Sequence, residues 1–225
     1  MAAVIKYLGS KRRLVPALAE ICARSGARSA IDLFTGTTRV AQAFKALGVH
    51  VTAVDSAAYA HVFARCYVEA DAAAVDQAAL RSELARLNAL PGIDGYVTET
   101  FCRQSRFLQP RNGQRVDAIR AAIAAEHAGS SLEPVLLTSL IEAADRVDST
   151  AGVQMAYLKA WAPRARGALV IAAAPAPDQL PQAAQNADGT YSGFDVDVAT
   201  AIAGRLGLPP RFVSPGWDKV LAGNW

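Results

Sequence analysis

The sequence predicts an α/β fold that opens with half of a doubly wound parallel sheet and continues into a long helical region. Two observations carry this. Ser29 to Phe34 is a short apolar run, Thr35-Gly36-Thr37-Thr38 is a tight turn, Arg39 to Leu47 has helical spacing ended by Gly48, and Val49 to Val54 is a second apolar run closed by Asp55. Strand, glycine turn, helix and strand is the repeating unit of a doubly wound sheet, and Ser29–Phe34 reads as a buried strand. The middle of the chain then keeps helical periodicity over 57–70, 75–90, 114–127, 132–145 and 153–161.

The flanking segments complete the order. Val4 to Leu8 is short and apolar, Gly9-Ser10 breaks it, and KRRLVPALAEICARSG is a helix through Leu14, Leu18 and Ile21. Between the second and third middle helices lies GIDGYVTETFCRQSRFLQPRNG, polar and aromatic, which reads either as a surface insertion that meets a partner or as a packed connection. Near Gly167 the character changes. ALVIAAAP is strand-like, the Pro-, Gln- and Gly-rich stretch to Gly193 is loop, Phe194 to Leu206 is amphipathic, and Arg211-Phe212-Val213 is a short strand.

Composition narrows the class. At 52% hydrophobic and 19% charged residues the chain is not of the disordered type, although much of the apolar count is alanine, which adds little core volume. Of the 23 basic residues all but Arg205, Arg211 and Lys219 precede residue 168, so a phosphate-facing surface is expected in the first part. Cys22, Cys66 and Cys102 form no CxxC pair, and His50, His61 and His127 have no ligand spacing, so no metal site is indicated. A reduced, cytoplasmic setting is expected; no secretory leader opens the sequence, and ALVIAAAP is too short to span a membrane as a helix.

The sharpest local feature is AIDLFTGTTRVAQAF. A glycine turn at the carboxyl edge of a strand brings backbone donors close to a ligand, with Asp32 and Gly36 flanking the crevice. Asp55 ends the next strand, where an acid can accept from ribose hydroxyls. The pattern lacks GxGxxG, which suits a nucleoside without a pyrophosphate. A structural turn with capping acids is the alternative reading. In KYLGSKRR, Lys11, Arg12 and Arg13 face either phosphate or solvent.

KYLGSKRRL, DLFTGTTRVAQAFKALG, VTAVD, YVTETFC, SRFLQPRNGQRVDAIR and SLIEAADRVDSTAGVQMAYLKAW, in that order, resemble the Dam-like class of N6-adenine DNA methyltransferases over about residues 5–166. The resemblance implies a partial Rossmann-like S-adenosylmethionine-dependent methyltransferase fold over 1–167, with a large helical DNA-contact insertion at about 56–166. Tyr7 and Lys11 would line the S-adenosylmethionine pocket, Asp32, Phe34 and Gly36 would form the first donor motif, and Asp55 would hold the ribose. Where the family often has Asn-Asp, this chain has Val54-Asp55. Arg103, Arg106, Arg111 and Arg115 would meet the phosphates of double-stranded DNA. The family transfers the methyl group with an Asp/Asn-Pro-Pro-Tyr/Phe motif, and the only Pro-Pro here, Pro209-Pro210, is flanked by Leu208 and Arg211. The chain is therefore expected to be truncated before that motif and not to methylate DNA alone. A restriction-modification setting and self-association over an exposed sheet edge are compatible with it.

YSGFDVDVATAIAGRLGLPPRFVSPGWDKVLAGNW resembles the start of an amino-acid ABC transporter solute-binding protein. This implies a partial periplasmic-binding-protein-like α/β segment over 168–225, with ALVIAAAP as its first strand. Three readings follow: a methyltransferase-derived chain, an amino-acid-binding fragment, and a non-catalytic DNA-binding remnant.

Overall fold

The computed structural model describes residues 11–151 and 156–174, and the backbone of two short strands beyond them. The chain forms two compact units, Met1–Asp178 and Gln179–Trp225. In the second, β3 (Ala184–Gln185) pairs antiparallel with β4 (Tyr191–Ser192). The expected elements at 4–8, 194–206 and 211–213 lie outside the described residues.

The first unit opens with a 3-10 turn, Arg12–Leu14, and helix α1, Val15–Ser25, which stops at Gly26 in the left-handed region (φ 65°). Strand β1 (Ser29–Asp32), helix α2 (Arg39–Ala46) and strand β2 (His50–Ala53) then form the expected βαβ unit. The strands are parallel, in register from Ser29↔His50 to Asp32↔Ala53. Gly48, at φ 76°, makes the reversal between α2 and β2.

One expectation is corrected here. Ser29–Phe34 is not a buried strand: Ile31 is 65% exposed and Leu33 59%. A parallel strand is buried when other layers cover both of its faces, and among the described residues β1 has β2 as its only strand partner.

The hydrophobic core lies instead in the helices. Helix α3 (Ala58–Phe63) runs into a π-helical turn, Ala64–Glu69. Helix α4 (Gln77–Ala89) is capped by Asp76, whose Oδ1 accepts from the Ala78 and Ala79 amides. After a second π-helical turn, Thr98–Arg103, come α5 (Pro110–Glu126) and α6 (Glu133–Arg146). Leu84 and Leu87 of α4, Ile119 and Ile123 of α5, and Leu136 and Leu140 of α6 pack into one cluster, joined by Leu169 and Ile171.

Part of the 92–113 segment packs against α5, while Ile93 and Tyr96 stay exposed. Gly95 lies against the Asp117 carboxyl group, which accepts from the Val97 amide (3.0 Å), the Thr98 amide (2.8 Å) and the Thr98 hydroxyl (2.7 Å). Gly113 of α5 meets Cys102, and a Cβ there would sit 2.3 Å from Sγ and 3.2 Å from the Thr98 Cα. The π-helical turn thus lies bare-backbone-close to α5.

Two further expectations change. Residues 156–161 are not helical: Tyr157 forms an antiparallel bridge with Thr150, and the Leu158 amide donates to the Ser149 carbonyl (2.8 Å). Tyr157 packs edge-on against Phe107, and Arg106 stacks over Trp161. These long-range aromatic contacts outweigh a weak local helix preference. The expected strand ALVIAAAP is not a strand over its described residues 168–174: Leu169 and Ile171 are buried, but their backbone pairs with side chains rather than with another strand.

Two outcomes test this packing. Asp117→Ala strands buried donors and is expected to cost about 2–4 kcal/mol in urea unfolding; a loss under about 0.5 kcal/mol would refute the anchoring role. Gly113→Ala is expected to cost about 1–3 kcal/mol through overpacking, and adding Cys102→Ala should recover part of that loss.

Candidate functional site

The βαβ unit brings a glycine turn and two acids to the carboxyl edge of its strands. The Val54 amide donates to the Asp32 carbonyl (2.8 Å) and the Thr35 amide to the Val54 carbonyl (3.0 Å), so pairing continues one step past the strands. Asp32 and Asp55 therefore finish at the same edge. Between β1 and α2 the chain turns through Gly36 (φ 50°) and Thr38 (φ 60°). A threonine in the left-handed region is strained, by about 1–3 kcal/mol. It is held by its buried hydroxyl, which donates to the Thr37 carbonyl and accepts from the Gln42 Nε2 (2.7 Å).

The two acids tie this turn down from both sides. Asp32 Oδ2 accepts from the Thr35 hydroxyl at 3.0 Å. Asp55 Oδ2 accepts from the Gly36 amide at 2.9 Å, and its Oδ1 from the Ala57 amide at 2.9 Å. These amides, Ala57 first and then Gly36, hold the Asp55 carboxyl below the ordinary aspartate range. The Ser56 amide lowers the Asp55 value further, so three backbone donors hold this carboxylate. Phe34 stands at the mouth, 88% exposed. Close behind Asp55, at Ala58 and Tyr59, begins the wall of a cavity of about 560 Å³, also lined by Phe101, Phe107, Leu140 and Ile141. Sequence reading did not find this cavity, because its walls come from segments far apart in the chain.

Asp32, Phe34, Gly36 and Asp55 thus come together. Tyr7 lies outside the described residues. Lys11 stands at the entrance to α1, its carbonyl accepting from the Leu14 and Val15 amides.

The four arginines predicted to meet phosphate all have partners inside the chain. Arg103 pairs with Asp94 (2.6 Å) and Glu99 (3.5 Å). Arg106 donates to the Lys159 carbonyl, and Arg111 to that of Arg166. Arg115 uses three nitrogens, on the carbonyls of Leu169, Leu90 and Asn88.

One cluster was missed in the sequence: Glu83, Glu126 and His127 bring ligand-type atoms within 4.8 Å of one another. Arg86 already bridges both glutamates at 2.6 Å and, with His127, holds the Glu83 carboxyl down at about 2. The cluster reads as an α4–α5 clamp.

The Asp55 geometry fixes a pH dependence. A depressed folded value means that the carboxylate stabilises the turn above the unfolded aspartate value and loses that effect as pH falls through the lower, folded one. In NMR titration the Gly36 and Ala57 amide shifts should move together, with a midpoint below 3.8. Independent midpoints, or one above that value, would break the assignment.

Comparison with known proteins identifies the family. A family model described as D12 class N6 adenine-specific DNA methyltransferase matches residues 7–192. A model of bacterial extracellular solute-binding proteins, family 3, matches residues 171–224. Type II methyltransferase M.NlaIII of Neisseria lactamica is 30% identical over 168 residues, which cover 69% of this chain and 49% of that protein. Modification methylase StsI of Streptococcus sanguinis is 28% identical over 173 residues, 70% of this chain and 26% of that one. The chain therefore spans about half the length of the first relative and about a quarter of the second. No solved structure matches. With the family model running through the glycine turn, both acids and the whole helical region, the chain belongs to the D12 class N6 adenine-specific DNA methyltransferases.

Proposed function

We propose that this chain is the donor-binding portion of a site-specific adenine DNA methyltransferase, holding S-adenosylmethionine at Asp32, Gly36 and Asp55 beside double-stranded DNA. The observation that carries this is the Asp55 carboxylate, which ties the end of β2 to the Gly36 turn at the carboxyl edge of the strands. A ribose diol suits a carboxylate acceptor. The exposed Phe34 ring offers an apolar face to a nucleoside. Tyr7 and Lys11, by the family pattern, complete the pocket.

When bound, S-adenosylmethionine supplies an electrophilic methyl group on a sulfonium. The chain's own part is to bind and orient it. Transfer to the adenine amine also needs an acceptor and a stacking aromatic at an extruded base. The sequence has no Asp/Asn-Pro-Pro-Tyr/Phe motif to provide them. We therefore assign donor binding to this chain and not complete turnover by it alone.

DNA contact falls to the basic helical part. Arg103, Arg106 and Arg111 keep N–H donors beyond those their internal partners use, enough for a phosphate oxygen each. Arg115, with three nitrogens already engaged, we assign to the fold. The solute-binding reading rests on the match at residues 171–224.

Titration calorimetry with S-adenosylmethionine should give one site per chain, and Asp55→Ala should weaken it at least tenfold. No heat from protein with native circular dichroism would sink the donor assignment. Binding to duplex DNA should weaken steeply with salt, and Arg103→Ala should reduce the log–log slope by about one; an unchanged slope would remove Arg103 from the interface.

A further inference from the structure

The segment 166–174 is held in an unusual way. It leaves the 3-10 turn Pro163–Arg166 without joining a strand, and its backbone is paired by side chains of α4, α5 and α6. Asn112 donates through Nδ2 to the Gly167 carbonyl (2.9 Å) and accepts through Oδ1 from the Leu169 amide (3.0 Å). Asn88 does the same for both polar groups of Ile171, at 2.8 and 3.0 Å. Arg115 Nε takes the Leu169 carbonyl, and Arg146 that of Val170. Arg111 takes the Arg166 carbonyl, and the Ser139 hydroxyl accepts from the Ala174 amide.

The two carboxamides therefore play the part of a neighbouring strand, each offering a donor and an acceptor. The side chains alternate as they would on a sheet. Leu169 and Ile171 are buried, at 1% and 2% exposure, whereas Val170 is 56% exposed. Such a site reads backbone shape plus two apolar residues at alternate positions, the recognition logic of strand addition carried out by helices.

We infer that the cleft between α4, α5 and α6 is a groove for an extended peptide, filled in this chain by its own residues 166–174, and that it takes the same peptide in trans when its own strap is expelled. The occupant it selects has large apolar side chains at the Leu169 and Ile171 positions. It is indifferent at the outward Val170 position. This reading is independent of the donor site.

The test uses the full chain carrying Leu169→Asp and Ile171→Asp, with a fluorescent peptide RGALVIAAA, residues 166–174. Saturable binding to this variant is expected, and at least tenfold weaker binding to the unaltered chain, whose own strap competes. A peptide with the Val170→Lys change should still bind, whereas one with Leu169→Asp should not. Adding Asn88→Ala and Asn112→Ala to the chain should weaken binding at least tenfold. If the Asp variant loses helix by circular dichroism, the unaltered peptide must restore it. Failure to bind a folded variant, failure to restore an unfolded one, or equal binding to the unaltered chain would each overturn the proposal.

Discussion

Two adjacent residues of α5 face opposite demands, and the packing of the helical region turns on them. Asn112 and Gly113 lie in its first turns, where the helix meets bare backbone on two sides. Toward the π-helical turn, only the absent side chain of Gly113 leaves room for Cys102 and Thr98. Toward residues 167–169, the Asn112 carboxamide supplies the hydrogen bonds that a strand would otherwise make. Burying amides and carbonyls without partners costs several kcal/mol each by transfer scales, so neither segment could enter this core if the two residues were exchanged. Asp117, further along the same helix, finishes the π-helical side by accepting from Val97 and Thr98.

The candidate site itself stands on a smaller base. The βαβ unit contributes little of the buried apolar cluster, which runs from α4 to Ile171. Its position is fixed by polar ties to the helices. Lys45 of α2 donates to the Ala70 carbonyl at 2.7 Å. The Tyr67 hydroxyl donates at 2.6 Å to Glu142 of α6, a carboxyl that burial pushes up from its usual range. These contacts set α2, and hence the Gly36 turn at its start, against α6. Loops that bind ligands are commonly carried in this way, on a rigid body with its own core.

How much of this the sequence disclosed follows from the range of the interactions. The Gly36 turn and its two acids were legible because turn chemistry and strand ends are local: the residue types that shape the bend lie within a few positions of it. The helices α3 to α6 were legible from periodicity, and Gly26 and Gly48 marked ends correctly. What stayed hidden depends on distant partners. Nothing near Tyr157 announces that Phe107 will draw its segment out of helix. Nothing near Ile31 announces that it will stand 65% exposed. The π-helical turn Ala64–Glu69 lies within the predicted helix 57–70, whose period does not show its wider winding, whereas Thr98–Arg103 falls in a segment with no helical period to read.

The arginines carry the same lesson into electrostatics. A surplus of basic residues before residue 168 reads, in sequence, as a phosphate-facing surface. In the fold, much of that charge serves the chain. A guanidinium presents donors in a planar fork, and a carbonyl-rich edge can occupy that fork in place of a phosphate. Arg115 meets three carbonyls, while Arg111 and Arg146 each meet one on residues 166–171. The positive charge is kept, so the long-range field toward an anion survives, but the short-range donors are divided. A residue that closes the core cannot be freed for a ligand without exposing Leu169 and Ile171, whereas Arg103 has only the exposed acids Asp94 and Glu99 to leave. The arginines left able to change partner are thus those whose internal partners are themselves solvent-facing.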